Sequence, residues 1–252
     1  MHAAALAQAG LTGWRYQLLP VPPDLVPEVI PALPGAGFAG ANVTIPHKAA
    51  ALAVATAPTD RARAIGAANT LTFPAAGEIA ADNTDAPALI AALPFPATGV
   101  SALVLGAGGS ARAAVWALLD AGASEVRVWN RTADRARRLC DELGANLAAP
   151  APAAADIAPA DILVNCTAVG LDGSSPFDRL PVTPAGLERF RCVVDFVYAA
   201  RGSQLVAQAG ARGVAVVDGL QLLAGQGALS FAQFTGLPAS VATMRAAAGP
   251  SR

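Results

Sequence analysis

The sequence predicts an α/β protein in two parts, a doubly wound parallel sheet and a smaller α/β unit. Three observations predict it. Between about residues 101 and 219, short apolar runs alternate with helical patterns, which is how strand-helix-strand units and a parallel sheet read in sequence. A glycine run, Gly106, Gly108 and Gly109, stands directly after one apolar run and opens a helical one. Proline and glycine breaks at Pro94, Pro96 and Gly99, and at Asp218-Gly219, bracket that region. They divide the chain into residues 94–219 and a smaller domain of residues 1–93 to which residues 220–252 return.

Taken in order, the smaller part shows strand patterns at residues 15–19, 39–43 and 68–73 and helical patterns at 24–33, 47–55 and 85–93. In the larger part, strands are expected at 102–105, 125–129, 161–165, 193–197 and 214–217, and helices at 110–121, 133–143 and 203–211. The last helices run from Leu220 onward and come after the sheet in sequence. The chain should therefore cross back, with the active site in the cleft between the parts.

Composition narrows the function. Seventeen basic against eighteen acidic residues give a net charge of -1, no electrostatic footprint for nucleic acid or an anionic membrane. Residues 86–111 and 219–244 carry no charge and are long enough to test as membrane spans, but prolines and glycines break the first, and glutamines and Pro238 break the second. Both read as buried elements of a soluble protein. His2 and Ala3 stand where a secretory signal would place positive charge before a Leu-rich run, so no targeting segment is expected. Cys140, Cys166 and Cys192 lack any paired spacing for zinc or a redox motif, so reduced thiols, a cytoplasmic location and no metal are expected. The Ala/Pro stretch near residues 148–160 is the one low-complexity segment.

The glycine run carries the first chemistry. In LVLGAGGSARAA, Gly106 permits the tight turn, while Gly108 and Gly109 let backbone N–H groups approach a pyrophosphate at the helix N-terminus. A Rossmann-like domain follows. The second strand ends in VRVWNRTADRARRL without the acidic residue that would hold the ribose 2'-hydroxyl of NAD. Arg131 stands there, with Arg135 one turn on and Thr132 placed to cap the helix. A guanidinium pairs bidentately with a 2'-phosphate, which favours NADP. Arg137 and Arg138 read as solvated surface charge.

Three polar clusters stand out in the apolar front half: NVTIPHK at residues 42–48, GAANT at 66–70 and DNTD at 82–85. Together with DILVNCTAVG at 161–170, VVDFVY at 193–198 and LLAGQGALSF at 222–231, they resemble the shikimate dehydrogenase family over nearly the whole chain and in the right order. The resemblance implies an NADP-linked oxidoreductase that reversibly reduces 3-dehydroshikimate to shikimate, toward chorismate and the aromatic amino acids.

Carried over position by position, the family's catalytic lysine falls on Lys48 and its partner aspartate on Asp85. Substrate contacts fall on Thr44, Asn69, Tyr198 and Gln226. Cofactor contacts fall on Gly106, Gly108, Gly109, Asn130, Arg131, Thr132 and Gly219. The chemistry agrees: hydride transfer to a ketone leaves an alkoxide that needs a proton or a cation, and an ammonium supplies either. A neighbouring carboxylate favours the charged lysine, so Lys48 is expected to act as electrostatic stabiliser and proton donor rather than as a free base. Amides and hydroxyls, which donate and accept, suit a polyhydroxylated ring. His47 is expected to face solvent. Thr167 and Cys166 follow a strand end, where they would line the cofactor, with a core thiol the preferred reading for Cys166. Asn69 and Asn83 have a competing reading as turn residues.

The chain departs from the family at its start. Members open with a strand, a glycine-containing turn and a Ser-x-Ser-Pro motif for the substrate carboxylate, then a helix beginning near a His-Asn pair. This sequence begins at that helix, with Ala3 where asparagine is usual. Either the start lies upstream of Met1 or the carboxylate is held differently, and an open sheet position would leave backbone groups unpaired. Competing readings are a quinate/shikimate dehydrogenase, which usually prefers NAD, and a non-catalytic NADP-binding protein. The expected partner is a small molecule, and the expected state a monomer or homodimer.

Overall fold

The computed structural model describes residues 1–74, 77–147, 160–198 and 202–249. All but the last residue of the Ala/Pro stretch lies outside them. The chain forms two compact units, residues 1–88 with 223–252 and residues 89–222. The crossings fall inside two helices, α5 (Asp85–Ala92) and α9 (Gly219–Thr235).

The larger unit is a six-stranded parallel sheet built from β5 (Ser101–Leu105), β6 (Glu125–Trp129), β7 (Asn146–Leu147), β8 (Ile162–Asn165), β9 (Cys192–Asp195) and β10 (Ala215–Val217) in the order β10-β9-β8-β5-β6-β7. From β5 the chain winds outward through β6 to β7, and then outward the other way through β8, β9 and β10. The direction changes between β5 and β8, where an open α/β sheet has its ligand crevice.

Alternation along β5 shows why the strands are continuous apolar runs. Ala102 and Val104 face one core with α6 (Gly109–Asp120) and α7 (Ala133–Leu143), while Leu103 and Leu105 face the other with Leu205 and Ala209 of α8 (Gln204–Gly210). Both faces are covered, as a parallel sheet requires. Leu103 and Leu105 are wholly buried, and truncating either to alanine should cost about 2–5 kcal/mol.

The smaller unit holds α1 (His2–Gln8), α2 (Val26–Ala32), α3 (Lys48–Ala53), α4 (Asp60–Ile65) and α10 (Val241–Ala248) around a four-stranded sheet of order β1-β3-β4-β2. Its strands are short: β1 (Gly40–Asn42), β2 (Ala57–Pro58), β3 (Thr70–Thr72) and β4 (Ala80–Asp82). Val26, Ile30, Ala51, Leu71, Ile79 and Ala81 form one core, and α1, α9 and α10 pack a second around Phe231 and Met244.

Three expectations need correction. The strand expected at residues 15–19 does not form. Its alternation is real, but β1 lies at the sheet's edge and pairs only with β3, so among the described residues the segment has no ladder partner. The helix expected at 24–33 splits into a 3-10 turn, Pro23–Leu25, and α2, which holds Pro27 in its first turn and Pro31 near its end. Thr132 occupies the N-cap position of α7, but its side chain makes no capping bond; Asn130 Nδ2 instead donates to the Thr132 carbonyl at 2.9 Å. Elsewhere the expected elements start and stop within two residues of their observed bounds. The sequence reading lacked β2, α4, β4 and β7.

Candidate active site

In the smaller unit, β3 and β4 run antiparallel with Thr70 opposite Asp82. That register sets residue 69, just before β3, beside the turn that leads from β4 into α5. Backbone bonds fix the junction: Asn69 N donates to Asp82 O at 3.0 Å, Val43 N to Asn69 O at 2.8 Å, and Ala68 N to the carbonyl of Lys48 at 2.9 Å. Lys48 at the start of α3, Asn69 before β3 and Asp85 at the start of α5 are thereby brought together.

Their side chains form one cluster. Lys48 Nζ donates to Asp85 Oδ2 at 2.5 Å, and Asn69 Nδ2 donates to Asp85 Oδ1 at 2.9 Å. Lys48, Asp85 and Asn69 are 8, 6 and 3 % exposed, so the ion pair sits where water screens it little. The orientation of Asn69 is fixed from behind. Its Oδ1 accepts from Thr84 N at 2.8 Å and from the hydroxyls of Thr70 and Thr84 at 3.1 Å, which forces the amide nitrogen toward Asp85. Gln226 on α9 completes the group, with Oε1 3.4 Å from both Asn69 Nδ2 and Thr84 Oγ1.

Asn83, read as a possible turn residue, is fully buried and structural. It donates to Ala67 O at 2.9 Å and accepts from Ala86 N at 3.3 Å, holding the start of α5. Asp82 is a second buried carboxylate that sequence reasoning left without a role. It accepts from Thr59, from Arg61 through two nitrogens, from Asn83 N and from Gln233. Burial alone would raise its pKa, but these donors hold it below the usual carboxylate range. The signal was available, since an acidic residue ending an apolar strand needs partners. Thr44 is exposed in the loop after β1, and His47 is only half-buried, at the start of α3.

The remaining expected positions lie in the larger unit. Gly106 has φ +114°, a conformation that favours glycine, and a Cβ there would stand 3.1 Å from Cys166 O. Gly108 is the N-cap of α6, and a glycine there places no side chain over the helix N-terminus, the end that favours an anion. Gly219, at the start of α9, lies against the Val197 backbone so closely that a Cβ would come within 2.3 Å of Val197 O. Arg131, Thr132 and Arg135 are exposed after β6, Asn130 is half-buried, and Tyr198 after β9 is 48 % exposed. The close approaches at Gly106 and Gly219, a helix with a glycine N-cap at the direction change of the sheet and an exposed guanidinium after the second strand fit a dinucleotide with a 2'-phosphate. Among the described residues no group of side chains could hold a metal ion, and no helix is long and apolar enough to cross a membrane.

Comparison with known proteins bears on both units. Residues 1–71 match the shikimate dehydrogenase substrate binding domain, residues 91–171 the shikimate / quinate 5-dehydrogenase model, and residues 219–248 the shikimate 5'-dehydrogenase C-terminal domain. Shikimate dehydrogenase (NADP(+)) of Paracoccus denitrificans is 43 % identical over 94 % of this chain and 85 % of its own length. That of Methylobacterium radiotolerans is 45 % identical over 94 % and 86 %. Among solved structures, shikimate 5-dehydrogenase of Thermus thermophilus, in complex with NADP(H) and shikimate, superposes with a TM-score of 0.82 at 38 % identity, covering 98 % of this chain and 91 % of that one.

Proposed function

The chain belongs to the shikimate dehydrogenase family, and on that premise we propose that Lys48, Asp85 and Asn69 carry the NADP-linked, reversible reduction of 3-dehydroshikimate to shikimate on the route to chorismate. The observation that carries the assignment is the buried Lys48–Asp85 pair, with Asn69 on the second carboxylate oxygen.

When bound, the nicotinamide cofactor supplies or accepts the hydride. The chain's own residues manage the oxygen. Lys48 presents a buried ammonium that donates a hydrogen bond to the substrate carbonyl and a proton to the alkoxide as it forms. Asp85 holds that ammonium in place, and Asn69, locked by Thr84 and Thr70, holds Asp85. Reversal uses the same groups, with the lysine receiving the proton from the alcohol. Thr44, Tyr198 and Gln226 are assigned to the ring hydroxyls. Gly106, Gly108, Gly109 and Gly219 admit the cofactor backbone, and Asn130, Arg131, Thr132 and Arg135 take the adenosine end with its 2'-phosphate. We place the protein in the cytoplasm, in keeping with three buried cysteines that form no disulfide, acting on a small molecule as a monomer or homodimer.

The test is steady-state turnover with 3-dehydroshikimate and NADPH, and in reverse with shikimate and NADP, each against quinate and NAD. Turnover with shikimate and NADP well above the other pairs is expected. Preference for quinate would overturn the substrate assignment, and equal efficiency with NAD would overturn the role of Arg131.

A further inference from the structure

In the larger unit, a built polar group lies at the C-terminal ends of β8 and β9. Asp195 closes β9 and is 1 % exposed, and Asn165 closes β8 with no exposure. Asn165 Nδ2 donates to Asp195 Oδ1 at 2.9 Å, and Val197 N donates to the same oxygen at 3.0 Å. Ser203 donates its hydroxyl to Asp195 Oδ2. The serine oxygen in turn accepts from Leu205 N at 3.1 Å and Val206 N at 3.4 Å, capping α8.

The bonds have one direction throughout. Ser203 spends its single proton on Asp195 because its acceptor side is taken by the helix. Asn165 turns its amide nitrogen to Asp195 because its oxygen accepts from Thr167 N at 3.1 Å and Thr167 Oγ1 at 2.7 Å. Thr167 Oγ1 then accepts from Val169 N at 3.1 Å. Among the described residues every partner of Asp195 is a donor, so an acceptor on both oxygens satisfies the centre. An asparagine would set its amide against the donors. Burial pushes the Asp195 carboxyl up to about 6, against the pull of the three donors, and at neutral pH it remains a carboxylate.

The chain of bonds ends at the crevice. A Cβ on Gly106 would stand 3.1 Å from Cys166 O and 3.4 Å from Thr167 Cγ2, so the turn at residues 166–169 is the wall facing the glycine turn across the direction change of the sheet. The Val197 carbonyl, next to the amide that Asp195 holds, is the group that Gly219 approaches. We propose that Asp195 is a positioning residue for the dinucleotide: through Asn165 and Thr167 on one side and Val197 on the other, it sets the spacing of the backbone walls that receive the cofactor, without touching it.

The inference rests on the glycine turn being the cofactor site, and the unmodified protein tests that first: no NADPH binding there sinks the site reading itself. The decisive pair is Thr167→Val, which keeps the shape and the methyl group but removes the hydroxyl, and Thr167→Ser, which keeps the hydroxyl and removes the methyl. Fluorescence titration with NADPH should show about a ten- to hundredfold weaker dissociation constant for Thr167→Val and near-normal affinity for Thr167→Ser. Saturating NADPH should return most of the turnover of Thr167→Val. Asp195→Asn should weaken NADPH at least as much as Thr167→Val. If Asp195→Asn does not fold, the threonine pair decides alone. Normal affinity in Thr167→Val, or loss in Thr167→Ser with Thr167→Val intact, would mean that only packing matters and would overturn the proposal while leaving the cofactor site standing.

Discussion

Asn69 and Lys48 divide one carboxylate between them: Asp85 gives Oδ1 to the amide at 2.9 Å and Oδ2 to the ammonium at 2.5 Å. A buried ion pair gains from such extra bonds because desolvation otherwise cancels much of the Coulomb attraction. Breaking the arrangement therefore has two consequences, one for rate and one for stability.

Asp85→Asn leaves the Lys48 ammonium buried without its counter-charge. Removing one partner of a buried pair costs about 3–5 kcal/mol, and a misplaced ammonium should lower kcat by about two to four orders of magnitude. Denaturant melts beside steady-state rates read both, and unchanged kcat would remove Asp85 from the assigned role.

Lys48→Ala should lose about two to four orders of magnitude in turnover while NADPH affinity stays nearly constant, since the glycine turn and Arg131 belong to the other compact unit. A parallel loss of NADPH binding would show that the assignment of roles to the two units is wrong.

Arg131→Asp should weaken NADPH by removing a charge-assisted contact worth about 1.5–3 kcal/mol and adding repulsion toward the 2'-phosphate, with NADH little affected. The ratio of catalytic efficiencies for NADPH and NADH is the measurement. A ratio unchanged by the substitution would place the phosphate elsewhere, with Arg135 the next residue to replace.

Acid stability should depend on His2. Its ring is buried against Tyr16, with centroids 4.2 Å apart, neither nitrogen has a hydrogen-bond partner among the described residues, and burial lowers its pKa from 6.5 to about 4. The folded state thus holds the neutral ring. Its stability contribution is present above the unfolded pKa of 6.5 and is lost as pH falls toward 4, amounting to about 3 kcal/mol. Asp195 works in the opposite sense, because its raised pKa favours the folded state at low pH and that stability is lost as pH climbs toward about 6. Comparing urea melts of the wild type and His2→Phe at pH 7 and pH 5 isolates the histidine. The variant should lose less stability between the two, and identical losses would refute the account.

Much of this was legible before the structure, and the reasons are physical. The parallel strands are apolar on both faces, so Leu103, Val104 and Leu105 announce themselves as a continuous run. Lys48, Asn69 and Asp85 were selected by chemistry and resemblance, and the β3–β4 register, which sequence does not reveal, explains their meeting. The short strands β2 and β4 are too brief for alternation to show. The helix α4 had signals that went unused: Thr59 caps it by accepting from Ala62 N at 3.1 Å, Asp60 stands in its first turn, and Gly66 ends it with φ +72°. Asp195 and Asn165 were given no role because both were read simply as strand residues, and the donors that meet Asp195 come partly from residues 30 and 8 positions away, which the strand pattern does not show.

The unpaired stretch after α1 has a consequence for handling the protein. Trp14, Tyr16, Leu18 and Leu19 are 38, 41, 88 and 48 % exposed on backbone that joins no sheet. Proteases bind their substrates as added strands, and a chymotrypsin-like enzyme selects large apolar side chains, so this segment offers both requirements in one place. Limited digestion should nick the chain here first and release a short peptide containing α1. The larger fragment would retain Lys48, Asp85 and the whole of the glycine turn. It would lose the Met1 side chain, which lies where a Cβ on Gly227 would come within 2.8 Å, and with it part of the packing that steadies the helix bearing Gln226.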